Sequence, residues 1–249
     1  MKAGKLQDKV CVITGGSSGI GLATARLFLN EGARVVIAAR GARGLDAAKR
    51  SLGGSVTTVQ ADVSLPDELK TLMDGVGRSH GQIDVLFANA GISECPDILK
   101  TDEAFFDEIM SVNVKGVFFA FTHALPWMPA HAAAIFTSSI IQQRGRPGDV
   151  LYAATKAATR SLARTLAVDD RVLARHIRVN VVSPGAIRTP LTVAATSNQE
   201  ISEWVEGQVP LGRWGEAEEV ARAVLFLSCS EASYMTGGEI AVDGGLGQI

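Results

Sequence analysis

The sequence predicts an α/β fold: a doubly wound parallel sheet of about seven strands with helices on both faces. Two observations predict it. Short runs rich in β-branched residues alternate with longer helical stretches along the whole chain. Most of these runs are nearly all apolar rather than alternating apolar with polar, as expected of parallel strands covered on both faces.

The first run, residues 9–14 (KVCVIT), enters a glycine-rich turn and then a helical stretch near 20–31. Residues 34–39 (RVVIAA) follow, with a helical stretch near 43–52, then a third run over 56–61 (VTTVQA). The next helix, near 66–79, opens with Pro66, Asp67 and Glu68. A first turn tolerates the missing proline N–H, and acidic groups favour the positive end of the dipole. Residues 83–88 (IDVLFA), a helical stretch near 102–125, residues 133–137 (AAIFT), a helical stretch near 152–175 and residues 177–182 (IRVNVV) continue the alternation. A late helix near 216–229 and a last strand over 239–242 complete it. No composition break, linker or internal repeat divides the chain, so residues 1–249 read as one domain.

The chain carries 24 basic against 26 acidic side chains, a net charge of −2, and lacks the basic face a nucleic-acid partner requires. Cys11, Cys95 and Cys229 lie far apart with no CxxC, and the four histidines are scattered, which predicts neither a disulfide framework nor a metal site. The amino terminus lacks the long apolar segment of a signal peptide. The stretch 116–143 has no Lys, Arg, Asp or Glu, but Pro126 and Pro129 interrupt it, so it reads as a buried helix and strand rather than a membrane span. The expectation is a cytoplasmic protein with a small-molecule ligand, no nucleic-acid partner and no membrane association.

The first strand runs into Thr14-Gly15-Gly16-Ser17-Ser18-Gly19-Ile20-Gly21. Glycines there permit unusual backbone angles and let a pyrophosphate approach the helix amino terminus. Many strand–helix turns need glycine merely to turn, but this loop follows the first strand and opens a helix, the context of a dinucleotide (Rossmann-type) site. The second strand ends Ala38-Ala39-Arg40-Gly41-Ala42-Arg43, with no carboxylate before Asp46 to bind a ribose 2′-hydroxyl. Arg40 suits a 2′-phosphate, so NADP(H) is favoured and NAD(H) remains possible.

Tyr152 and Lys156 stand in YAATK at i and i+4, on one helix face. A free tyrosine titrates near 10 and becomes a useful base only with a cation at hand. Lysine one turn away supplies that cation and can reach a ribose hydroxyl. Ser139 follows the strand 133–137, and the carboxyl ends of such strands are where ligands sit. Its hydroxyl can bond the substrate oxygen that Tyr152 protonates.

Together, TGGSSGIG, Asn89-Ala90-Gly91, Asn113, Ser139 and Tyr152-xxx-Lys156 resemble the short-chain dehydrogenases/reductases, in order and along the whole chain. Pro184-Gly185 with Thr189, and Asp243-Gly244-Gly245, extend the match. The resemblance implies Tyr152 as general acid/base and Ser139 as carbonyl polariser. It implies that Lys156 lowers the tyrosine pKa and holds the nicotinamide ribose, and that Asn113, within a local helix distortion, positions a relay water. Asp62 and Val63 would contact adenine. Asn89 and Gly91 would line the cofactor near its adenosine ribose, with a structural tie between strands the other reading of Asn89. Pro184, Gly185, Ile187 and Thr189 would hold the carboxamide side of nicotinamide. Many members place a basic residue inside the glycine loop, where this chain has Ser17 and Ser18. The family commonly forms homotetramers, here expected through the helices near 102–125 and 152–175, the latter with Ala153, Ala154, Ala157 and Ala158 for close approach.

The segment 189–213 is too long for a simple connector and reads as a substrate lid. Leu191 and Trp204 on it, with Ile141 and Glu94 at the rim and Ser139 at the base, are the candidate substrate contacts. Its apolar residues predict a hydrophobic or aromatic ketone/secondary alcohol pair, unless they only pack the lid onto the body. The wording FANAG and VDGGLGQI looks like bacterial alcohol dehydrogenases and carbonyl reductases of the family. A 3-oxoacyl-thioester or steroid-type reductase shares every motif and is the enzymatic alternative. A dinucleotide-sensing regulator without turnover is the non-enzymatic one.

Overall fold

The structure is a computed structural model that describes residues 4–94 and 96–248; Cys95 lies outside them. In chain order the elements are β1 (Val10–Thr14), α1 (Gly19–Asn30), β2 (Arg34–Ala39), α2 (Ala42–Ser51), β3 (Thr57–Gln60), α3 (Pro66–His80) and β4 (Val85–Ala88). Then come α4 (Glu103–Met110), a π-helical turn (Ser111–Lys115), α5 (Gly116–Ala124), β5 (Ala133–Thr137), α6 (Val150–Leu166), α7 (Asp170–Leu173) and β6 (Arg178–Pro184). The chain closes with β7 (Ile187–Arg188), α8 (Val193–Thr196), α9 (Gln199–Gln208), β8 (Gly215–Glu216), α10 (Ala217–Ser228) and β9 (Glu239–Val242).

Seven strands form one parallel sheet in the order β3-β2-β1-β4-β5-β6-β9. The chain winds outward through β2 and β3, then returns to the other side of β1. The resulting switch point, between β1 and β4, opens a crevice at their carboxyl ends. The apolar strands are explained by alternation between two buried layers. Val10, Val12, Leu86 and Phe136 face the cluster built with α3 and α5. Cys11, Ile13, Phe87 and Ile135 face the cluster built with α1 and α10. Each strand therefore needs apolar side chains at successive positions, one per layer.

Two departures from the sequence expectation bear on the site. The helix expected over 152–175 ends at Leu166. Asp169 then turns extended and its side chain accepts from the Arg171 amide, starting the separate short α7. Ser and Asp side chains compete for backbone in this way at helix starts. The helix expected over 102–125 is interrupted by the π turn at Ser111–Lys115. Flanking the 189–213 segment, β7 and β8 pair as a small parallel ribbon that the sequence did not suggest.

Candidate active site

The glycine loop leaves β1 at the switch point, and three of its glycines have separate reasons to be glycine. Gly15 has φ +66°, and a Cβ there would lie 2.8 Å from the Ala90 backbone. Gly19 has φ +50°, and its Cβ would lie 3.3 Å from Thr189. A Cβ on Gly21 would overlap the Gly15 carbonyl. The GxxxGxG spacing thus folds the loop back on itself and leaves its backbone bare. Helix α1 then begins with an extended Ser18, no side-chain cap and no acidic residue in its first turn. Its first amides and positive dipole end are free for an anion, so the loop fits a pyrophosphate. Ile20 packs its side chain inward against both neighbouring clusters.

At the end of β2, the Arg40 guanidinium is 58% exposed and lies 4.0 Å from Asp62. The other Asp62 oxygen accepts from the Ser64 amide at 2.8 Å and hydroxyl at 2.7 Å. Val63 is buried against α5, where a Cβ on Gly116 would lie 3.0 Å from the Val63 carbonyl. Ser17 lies close to the start of α2: a Cβ on Gly44 would be 3.5 Å from its hydroxyl. Helix α2, like α1, has neither a side-chain cap nor an acidic first turn.

Asn89 is occupied by the scaffold. Its amide nitrogen donates to the Thr14 and Gly15 carbonyls, at 3.3 and 3.4 Å, and its side-chain oxygen accepts from Thr137 at 3.1 Å. One side chain thus ties β1, β4 and β5 at the crevice. Gly91 sits beside Lys156 and Asn113: its Cβ would lie 3.4 Å from Lys156 Nζ and 3.2 Å from Asn113 Oδ1. Any side chain there would crowd the lysine.

The catalytic candidates meet at the carboxyl ends of β4 and β5. Ser139 is extended and starts a 3₁₀ turn over Ile140–Gln142. Ser138 donates to the Lys156 carbonyl at 2.8 Å, which locks the end of β5 to α6. Lys156 is 3% exposed; its ammonium donates to the Thr137 carbonyl at 2.9 Å and lies 5.5 Å from the Tyr152 ring centre. Burial pulls the lysine pKa down from 10.5 to about 8. Asn113, fully buried in the π turn, exchanges hydrogen bonds with the Ile92 backbone at 2.9 and 2.8 Å and donates to Thr155 at 3.1 Å. Its backbone carbonyl accepts from the Thr159 hydroxyl at 3.3 Å.

After β6, a Cβ on Gly185 would lie 2.7 Å from Asp243, so glycine is needed for backbone approach. Ile187 is buried in the α1–α10 layer, leaving only its backbone to face the crevice. Thr189 opens the turn Pro190–Thr192, where its amide donates to Thr192 at 3.0 Å.

An open cleft is lined by Glu94, Ile98, Phe105, Val150, Leu151 and Tyr152 among others. Glu94 was expected there; Ile98, Phe105, Val150 and Leu151 were missed, although the last two directly precede Tyr152. Ile141 is a buried residue of the turn after Ser139, and Leu191 and Trp204 stand 54% and 58% exposed on the 189–213 segment, outside the cleft lining. Within that segment, Val205 and Val209 are buried, so its apolar residues divide between packing and exposure. Arg188 pairs with Glu206 at 3.1 Å and Trp214 donates to Ser202 at 2.9 Å, pinning α9 to its flanks.

An anion-receptive glycine loop and a Ser–Tyr–Lys group at the carboxyl ends of a parallel sheet's central strands define an NAD(P)-dependent oxidoreductase acting on CH–OH/C=O. A family model described as enoyl-(acyl carrier protein) reductase matches residues 15–247. The chain belongs to the short-chain dehydrogenase/reductase family. A 3-oxoacyl-[acyl-carrier-protein] reductase of Thermotoga maritima is 38% identical over 247 residues, 97% of this chain and 99% of the relative. A cis-4-hydroxycyclohexanecarboxylate dehydrogenase of Sinomonas cyclohexanicum is 38% identical over 243 residues, 96% of each chain. The ligand-free structure of Thermoplasma acidophilum aldohexose dehydrogenase superposes with a TM-score of 0.89 at 31% identity, covering 98% of this chain and 96% of that one. No helix among the described residues is long and apolar enough to cross a membrane. Among the same residues, no group of three or more His, Cys, Asp or Glu side chains is arranged to hold a metal ion.

Proposed function

We propose that the protein reduces 3-oxoacyl thioesters with NADPH. The observation that carries this reading is the cleft at Tyr152. Its walls are largely apolar, and Glu94 is the one charged residue among its described lining. A neutral acyl thioester suits such walls, whereas a free carboxylate would meet a like charge and a sugar would leave hydroxyls unpaired. The near-full-length similarity to 3-oxoacyl-[acyl-carrier-protein] reductases of Thermotoga maritima and Chlamydia trachomatis supports the same substrate class. That places the thioester ahead of the simple hydrophobic or aromatic ketone expected from the lid, which remains the second reading because the same apolar walls suit it.

In this reading Ser139 donates to the carbonyl oxygen and holds it in line with Tyr152. Tyr152 delivers the proton to that oxygen as the hydroxyl forms. The buried Lys156 ammonium stabilises the negative charge left on the tyrosine oxygen and holds the nicotinamide ribose. Asn113 keeps the π turn against the loop after β4, and its carbonyl holds a water that returns a proton through Lys156. Bound NADPH supplies the hydride. Gly15, Ser17, Ser18, Gly19, Ile20 and Gly21 cradle the pyrophosphate, while Gly91 leaves room for the ribose beside Lys156. Asp62 and Val63 flank the adenine, and Pro184, Gly185, Ile187 and Thr189 border the carboxamide through their backbone.

Steady-state rates with acetoacetyl-CoA, apolar ketones, an aldohexose and an oxo acid test the substrate class. We expect kcat/KM for the thioester to exceed the others by about tenfold or more, the order expected when only one ligand satisfies the site's groups. A preference for the oxo acid or sugar overturns the reading, and a preference for simple ketones selects the second one.

NADPH preference rests on Arg40 and on the uncapped start of α2 beside Ser17, which together offer a cation and free amides to a 2′-phosphate. Exchanging Arg40→Asp is expected to lower the NADPH/NADH ratio of kcat/KM by about 10- to 100-fold, the worth of a charge-assisted hydrogen bond. An unchanged ratio would remove Arg40 from that role. Assembly as a homotetramer is also proposed, through the α4–α5 and α6 surfaces, where Phe106 and Phe118 are 46% and 37% exposed.

A further inference from the structure

A single carboxylate on the last strand ties together the elements that carry Ser139, Tyr152 and Lys156. One oxygen of Glu239 accepts from the Ser183 hydroxyl and from the Gln142 side-chain amide at 2.8 Å. The other accepts from Arg160 Nε at 2.9 Å and from the Gln143 side-chain amide at 3.2 Å. Arg160 lies one turn beyond Lys156 on α6 and also donates to the Gly237 carbonyl at 2.9 Å. Both oxygens thus serve two donors each, and the carboxylate is only 14% exposed. Glu239 joins β6, β9, α6 and the turn after Ser139.

The Ser139 hydroxyl itself is loosely held. It donates to the Pro184 carbonyl at 3.5 Å and accepts from the Ile141 amide at 3.4 Å, both long for hydrogen bonds. Its position therefore depends on where the turn and β6 stand. Gln142 closes that turn by donating its amide to the Ser139 carbonyl at 3.2 Å, and Ser183 directly precedes Pro184. Both are bonded to Glu239.

We infer that Glu239 is a positioning residue for the reduction, holding the Ser139 turn in register with the helix of Tyr152 and Lys156. The inference rests on the reading of Ser139 as the group that orients the carbonyl. A glutamine at 239 has one acceptor oxygen instead of two, and would turn an amide donor toward either Arg160 or the neighbouring donors. Displacements of about 1 Å near the chemistry cost on the order of 10²-fold in rate.

The test is a cycle of Glu239→Gln and Gln142→Leu, assayed with whichever carbonyl the wild type reduces fastest, alongside NADPH titration by fluorescence. Each single variant is expected to lower kcat by about tenfold, within the range for lost positioning, while the NADPH Kd stays within about twofold. The double variant should be no slower than Glu239→Gln alone, because both act through one link. A kcat for Glu239→Gln close to wild type, losses that multiply in the double variant, or a loss confined to cofactor affinity overturns the inference. Should Glu239→Gln fail to fold, Gln142→Leu decides: reduced kcat with unchanged Kd supports the inference, and unchanged kcat overturns it. Ser139→Ala is measured in parallel. Wild-type turnover in that variant refutes the role of Ser139 itself, a failure distinct from additivity within the cycle.

Discussion

Replacing Tyr152 by phenylalanine is expected to lower kcat by about 10²- to 10⁴-fold, the range for loss of a positioned general acid. The ring keeps its place on α6, so packing and the Lys156 contact survive, and only the transferable proton is lost. The cradle proposed for the cofactor, formed by the β1–α1 loop, Gly91 and the segment after β6, has no need of the tyrosine hydroxyl. NADPH titrations should therefore give nearly the same Kd in the variant and the wild type. Turnover at wild-type rate would remove Tyr152 from proton transfer, and an equal loss of cofactor affinity would recast it as a binding residue.

Lys156 links activity and stability through its charge. Burial pulls its pKa in the folded protein down from the ordinary 10.5 to about 8. Below pH 8 both folded and unfolded chains carry the proton, and the full cost of burying the ammonium opposes folding. As pH rises from 8 toward 10.5 the folded chain releases the proton first, so the unfolded chain binds more protons and this contribution to stability increases with pH. Between pH 7 and 9.5 the gain amounts to about 2 kcal/mol. Urea unfolding of wild type and Lys156→Met across that range should show the difference closing in favour of the wild type. Catalysis should move the opposite way. The pH dependence of kcat/KM reports groups of the free enzyme, so its alkaline limb is expected near pH 8, where the cation beside Tyr152 is lost. Lys156→Met should be slower by about 10²-fold or more and lack that limb. A wild-type limb that persists in Lys156→Met assigns it to another group, and parallel stability curves would mean the ammonium is not desolvated as its burial implies.

Much of the site was legible because its chemistry is local. The glycine loop can be read from sequence because part of its demand is local: Gly15 and Gly19 take positive φ, and Gly21 lies against the Gly15 carbonyl. Tyr152 and Lys156 are read from helical spacing, and Ser139 from its place just beyond β5. The strands at Ala133–Thr137 and Glu239–Val242 fall where their apolar runs predict. Asn113 was reached only by resemblance, because the π turn that buries it is stabilised by Ile92, Thr155 and Thr159 from other elements.

The substrate side was read less well for the same reason. Phe105 and Ile98 join Val150 and Leu151 only when α4 and the start of α6 are brought together. The apolar residues of 189–213 have no periodic partner that would say which are packed and which exposed. Asn89 illustrates the limit within a single residue: its sequence context allowed a cofactor contact or a strand tie, and only the fold shows the tie, through its bonds to Thr14, Gly15 and Thr137.

The sequence by itself determined the alternating architecture, the dinucleotide loop and the Ser–Tyr–Lys trio, since helical period, strand burial and backbone strain act over a few residues. Only the tertiary structure decided the lysine's depressed pKa, the walls of the cleft and the convergence on Glu239, whose partners Ser183, Arg160 and Gln142 lie 56, 79 and 97 residues away. Desolvation and side-chain contact depend on how distant faces pack, and no short-range pattern carries that information.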